Sequence, residues 1–180
     1  MTVGVIRPLK GLGRVRPIKP SKPVLKPDKL DLPSDMPVEI ARMVPTMGER
    51  NARTVWRLQK RGIRGTAPEL LVYDWLERKR VRFEFQSSQF GGRKIRGGIV
   101  TDFVVWIGAL MMAWRVQGTH WHSSAIAKAK DQSTKVRLLH TRHYGQKFSA
   151  VCDLGEMSIY KSPNHVCEEA MRGRSTPEWA

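Results

Sequence analysis

Gly97-Gly98-Ile99-Val100-Thr101-Asp102-Phe103-Val104-Val105 is the stretch whose reading decides the fold. It places one carboxylate inside an apolar, β-branched run. A second apolar run follows and reaches Arg115-Val116-Gln117-Gly118-Thr119-His120-Trp121-His122. Two such runs split by Gly108 and Ala109 read as paired strands, about Ile99–Ile107 and Met111–Gln117. A carboxylate buried among Val, Thr and Phe is costly unless a cation, a metal or a hydrogen-bond donor compensates it. Asp102 is therefore a candidate functional residue.

The turn at Gly108 and Ala109 puts Asp102 opposite Arg115, and one residue of slip puts it opposite Val116. The first register offers a purely structural explanation, a cross-strand Asp102–Arg115 ion pair. The second places Asp102 beside the Val116 carbonyl at the strand end.

The flanking sequence supplies the other elements. An amphipathic helix is expected from Met47 to Arg61, with Val55 and Leu58 on its apolar face and Gly62 and Gly65 ending it. A second helix opens at Thr66-Ala67-Pro68-Glu69 and runs to about Lys79, burying Leu71, Val72, Trp75 and Leu76. Val81-Arg82-Phe83-Glu84-Phe85-Gln86 alternates as a strand does. A basic turn or loop is expected over residues 91–98. A helix is expected over about Ser124–Arg142, carrying Ile126, Ala129, Val136 and Leu139. A strand over Phe148–Asp153 and a helix over about Asn164–Arg172 complete the chain. Local pairs plus a crossover helix predict an α/β fold with a mixed sheet flanked by helices.

The chain has 180 residues, with 32 Lys plus Arg against 16 Asp plus Glu, a net charge of +16. That excess points to a polyanionic partner, nucleic acid first and an anionic membrane surface second. No apolar run reaches the roughly 18 residues a membrane span needs. No continuous apolar segment follows the basic N-terminus, so no secretory signal is read. Cys152 and Cys167 alone make no disulfide framework, which makes an intracellular compartment the expectation.

Residues 1–46 differ from the rest, holding eight of the 11 prolines. Up to Leu30 eight Lys and Arg, among them Lys19, Lys22 and Lys26, stand against Asp28 alone. Proline at this density disfavours helix and central strand, so an extended basic arm is expected, followed by a domain over 47–180. The arm reads as a tether to phosphate backbone, as a strap along a larger nucleoprotein assembly, or as a plain linker.

Two further groups carry possible chemistry. Thr66-x-x-Glu69 is a capping box, which accounts for Glu69 structurally; a carboxylate near the sheet end could equally join a metal site through water. His120 and His122 bracket Trp121 beyond the second strand. A histidine there can activate water for attack on phosphorus, and a tryptophan can stack on bases. Structural zinc wants four nitrogen or sulfur ligands, and no cysteine is near these histidines in sequence, so no zinc is expected.

The pattern of a helix-start Glu, a Gly-Gly-flanked Asp-Phe strand, a strand ending Gly118-x-x-Trp121-His122, then a helix and a further strand, resembles the PD-(D/E)XK nuclease superfamily. It is most similar to the very-short-patch repair (Vsr-like) endonucleases and their phage-encoded relatives. The likeness covers about Gly65 to Gly173. It implies a restriction-endonuclease-like fold and magnesium-dependent cleavage of nucleic acid, DNA before RNA. By position it implies Asp102 as the metal-binding acid and the Val116 carbonyl on the same ion. It implies His122 as the water-activating base, Glu69 as the helix carboxylate behind the site, and Gln117 at a place often polar or acidic. Arg93, Lys94, Arg96, Arg115, His120, Trp121 and the arm would contact the nucleic acid. The chain departs from the pattern where Arg115, Val116 and Gln117 replace the second acid, and where Thr119 stands in place of the motif lysine and of a zinc-binding cysteine. These departures leave two readings, a nuclease and a nuclease-fold protein that binds without cutting.

Overall fold

The computed structural model describes residues 32–89, 99–118 and 125–177. Three helices come first, α1 (Val38–Met47), α2 (Glu49–Lys60) and α3 (Ala67–Arg78). Strands β1 (Arg82–Gln89), β2 (Ile99–Ile107) and β3 (Leu110–Gln117) follow. Helix α4 (Ala125–His140) leads to a small hairpin, β4 (Arg142–His143) with β5 (Gln146–Lys147), and then to β6 (Ala150–Gly155). Helices α5 (Glu156–Lys161) and α6 (Pro163–Met171) close the described fold.

The central hairpin forms as the sequence predicts. Ile107 pairs with Leu110 and Phe103 with Trp114, so Gly108 and Ala109 make the turn. Gly108 has φ +58°, a conformation that glycine adopts without steric cost. β1 lies antiparallel to β2, and β6 lies parallel to β3, giving the sheet order β1-β2-β3-β6. A parallel partner requires a crossover, which α4 supplies.

Both faces of this mixed sheet are covered. On one, the rings of Tyr73, Phe83, Phe85 and Phe103 lie 5.0–6.1 Å apart between α3 and the strands. On the other, Ile99, Val104, Met111, Ala113 and Val151 pack with Leu138 of α4 and Phe148. Double coverage explains why β2 reads as a near-continuous apolar run instead of alternating.

Several expectations are corrected. Helix occurs before Met47, where none was expected: α1 buries Ile40, Val44 and Met47, an i, i+4, i+7 face that proline counting overlooks. Pro45 is accommodated inside it. The helix expected over Met47–Arg61 forms as α2 and starts two residues later, because Gly48, with φ +82°, separates it from α1. The last strand is shifted two residues onward, and the β4–β5 hairpin and α5 were not anticipated. The expected apolar stripe of α4 faces outward: Ala129, Val136 and Leu139 are exposed, while Leu138 is fully buried. Its inner face carries Lys135 one turn before Leu138, so a hydrophobicity pattern points the wrong way.

Cys152 and Cys167 are free and buried. Burial pushes the Cys152 thiol up to about 11 and the Cys167 thiol higher still, away from reactive thiolate. Among the described residues no helix is long and apolar enough to cross a membrane.

Phe103 sits fully buried at the centre of the ring cluster. Phe103→Ala is expected to lower unfolding free energy by about 3–5 kcal/mol in urea titration. Val136→Ala, on the exposed side of α4, should stay within roughly 0.5 kcal/mol of the parent.

Candidate functional site

The pairing of β2 with β3 runs from the turn to Phe103 and Trp114. Beyond that point the strands keep different partners. β2 continues against β1 through Thr101 and Ile99, while β3 continues against β6 to Gln117. Asp102 and Arg115 are the first residues past the end of this pairing, whose register is the first of the two weighed above.

Asp102 closes the split. Its Oδ2 accepts the Val116 N–H at 2.7 Å, giving that amide a partner that the neighbouring strand no longer provides. The Val116 group that meets Asp102 is thus the amide donor, where the metal-centred expectation calls on the carbonyl. Loss of water around the Asp102 carboxyl pushes its pKa up to about 7, against the Val116 hydrogen bond and the Arg115 charge, which favour ionisation. The Glu69 carboxylate, within hydrogen-bonding reach, adds to the rise.

Glu69 serves both of the roles considered for it. The Thr66 N–H donates to Glu69 Oε2 at 2.7 Å, and the capping box is closed. The same side chain faces Asp102. Gly65 makes room for this arrangement. A Cβ there would stand 2.8 Å from Phe85 Cζ and 3.0 Å from Glu69 Oε2.

Arg115 does not form the ion pair with Asp102 that the first register offered as an alternative. It is buried and turns the other way, to Asp153, its neighbour across the parallel β3–β6 ladder. Nε and Nη2 both donate to Asp153 Oδ1, the former at 2.8 Å. Gln117 Nε2 adds a 3.3 Å bond to that oxygen, and Lys135 Nζ from α4 lies 3.3 Å from Oδ2. The Asp153 N–H is held in turn by Ser175 Oγ at 3.0 Å. The pairing takes Arg115 out of surface contact with a phosphate, contrary to its assignment from sequence, and ties Gln117 to Asp153. Asp153 and Lys135 were missed. The signal at Asp153 is the one that singled out Asp102, a lone acid in an apolar strand, Val151-Cys152-Asp153-Leu154.

The structure thus brings together Asp102, Glu69 and the Val116 amide, with Arg115, Gln117, Asp153 and Lys135 beside them. Arg93, Lys94, Arg96, His120, Trp121, His122, Lys19, Lys22 and Lys26 lie outside the described residues.

A carboxyl titrating near 7 when folded and near 3.8 when unfolded binds more protons in the folded state between those values. Stability should therefore fall as pH rises from about 4 to 7, by at most roughly 4 kcal/mol. Asp102→Asn keeps an acceptor for Val116 and removes the titration. Its urea stability relative to the parent is expected to improve steadily across that window; a pH-independent difference would contradict the assignment. Asp153→Asn should instead destabilise by about 3–5 kcal/mol at neutral pH, because it strands a buried arginine.

No protein family, no curated protein and no solved structure matches the chain.

Proposed function

We propose that this chain is a magnesium-dependent DNA endonuclease with a restriction-endonuclease-like domain. The observation that carries the reading is the meeting of Asp102 and Glu69 where β2 and β3 part, with Asp102 held far above its ordinary pKa. A divalent cation is the partner that would relieve two crowded carboxylates. The order α3-β1-β2-β3-α4-β6 around one mixed sheet supports the same reading, since it agrees with the element order implied by the resemblance.

The donor set suits magnesium. Among the described residues no three His, Cys, Asp or Glu side chains gather as a metal-ligand group. Magnesium keeps several waters and is commonly held by one or two carboxylates together with substrate phosphate oxygens. Asp102 and Glu69 would hold it. When bound, it supplies a lowered water pKa and charge stabilisation at the scissile phosphate. Asp102 contributes its charge once deprotonated, and its bond to Val116 N–H fixes the direction of the free oxygen. Glu69 is oriented by the Thr66 amide. His122, at its place in the sequence, is assigned the activation of water.

Arg115 favours a second reading, a nuclease-fold protein that binds nucleic acid or assembles on it without cutting. It stands where the superfamily has its second acid, and its charge is taken up by Asp153.

Plasmid nicking separates the two. With magnesium the parent chain is expected to relax supercoiled DNA, Asp102→Asn to abolish cleavage while retaining binding, and His122→Ala to slow it by about 10²–10⁴-fold. Magnesium should also raise the thermal midpoint of the parent at pH above 7, where Asp102 is ionised, and leave Asp102→Asn unmoved. Binding without magnesium-dependent nicking would transfer the assignment to the second reading.

A further inference from the structure

Away from the strand split, an open cavity of about 990 Å³ lies among α2, α3, α5 and the start of α6. Leu71, Tyr160 and Asn51 line it. Asn51 fixes the surrounding helices, donating from Nδ2 to the Met47 carbonyl at 2.7 Å and to the Tyr160 carbonyl at 3.0 Å.

The rim is basic for a reason written into α2. Ala52, Val55 and Leu58 point into the core, so Arg50, Arg53 and Arg57, at i, i+3 and i+7, share the outer face. Arg78 of α3 and Lys161 of α5 join them. Two acids line the same cavity, and both are engaged. Asp74, buried, grips Arg57 and Arg78; Glu49 holds Arg53 at 2.8 Å. Arg50 and Lys161 are exposed, and no carboxylate among the described residues pairs with either. Five cations thus face two acids around one groove, and the two unpaired cations lie on different helices.

We propose that this groove is a second nucleic-acid contact, in which Arg50 and Lys161 grip the phosphate backbone of duplex DNA. The inference rests on the proposed nucleic-acid function and adds a site that neither the resemblance nor the strand split assigns. The layout favours a polymer over a small anion. Arg50 and Arg57 are about 10 Å apart along the helix axis. That span matches roughly three phosphates of one strand, at 3.4 Å of axial rise each. The cations form an exposed row and do not converge on one buried point. Such a contact positions the duplex and reads no sequence.

The test uses the full chain and a short fluorescent DNA duplex, with affinity measured across a salt series. Arg50→Gln/Lys161→Gln breaks no ion pair, so its thermal midpoint should equal that of the parent. The slope of log affinity against log salt is expected to fall by about 2, with affinity reduced at least roughly tenfold at low salt. Arg50→Lys/Lys161→Arg, which keeps both charges, should bind as the parent does. The charge-matched pair Arg80→Gln/Lys147→Gln, outside the groove, should leave the slope near that of the parent. An unaltered slope in Arg50→Gln/Lys161→Gln, or an equal loss in the charge-matched pair, would overturn the groove and leave the nucleic-acid reading standing. Failure of the parent chain to bind duplex would overturn both.

Discussion

A sheet covered on both faces has little water for a charge, and this constraint organises the molecule. β2 and β3 run through apolar layers on either side, yet Asp102, Arg115 and Asp153 all lie on strands of that sheet. Each must be compensated from within. Asp153 resolves the problem for three groups at once, by accepting from Arg115, Gln117 and Lys135. That cluster joins β3, β6 and α4, and so fixes how the crossover helix sits on the sheet. Asp102 is left with one backbone donor and a neighbouring carboxylate, an incomplete solution for a half-buried acid.

The same constraint accounts for what could be read in the sequence. The hairpin was legible because Gly108-Ala109 interrupts two apolar runs, and period and turn chemistry agree there. The capping box at Thr66 and Glu69 was legible because it is local. Asp102 was legible because a lone acid among β-branched residues is conspicuous. What the sequence hid depends on contacts between distant segments. The choice Arg115 makes between Asp102 and Asp153 is decided by β6, 38 residues away. The face that α4 turns inward is decided by Lys135 reaching Asp153, against the apparent apolar stripe of Val136 and Leu139. The helix at Val38–Met47 was obscured by proline density, although its Ile40, Val44 and Met47 spacing was present.

The split between β2 and β3 also separates local chemistry from global architecture. The strands diverge where one carboxylate replaces a ladder partner, so a change at Asp102 alters both a charge and a piece of sheet geometry. The groove beside α2 is different in kind. Its cations hang from a helix whose opposite face is anchored by Ala52, Val55 and Leu58, and they can be exchanged without disturbing what lies beneath. The two regions therefore differ in how much sequence variation they tolerate.

The double duty of Glu69 has an evolutionary corollary. Because it closes the first turn of α3, selection for a folded protein is enough to keep a carboxylate at that position, whether or not any chemistry is performed. Asp102 answers to the opposite pressure: its ionised form lowers stability, and an amide could satisfy Val116 at less cost. Where negative charge at the strand split serves no purpose, position 102 should drift toward Asn while position 69 stays acidic. The acid at 102, more than the acid at 69, is the residue whose persistence tracks the use of negative charge at the strand split.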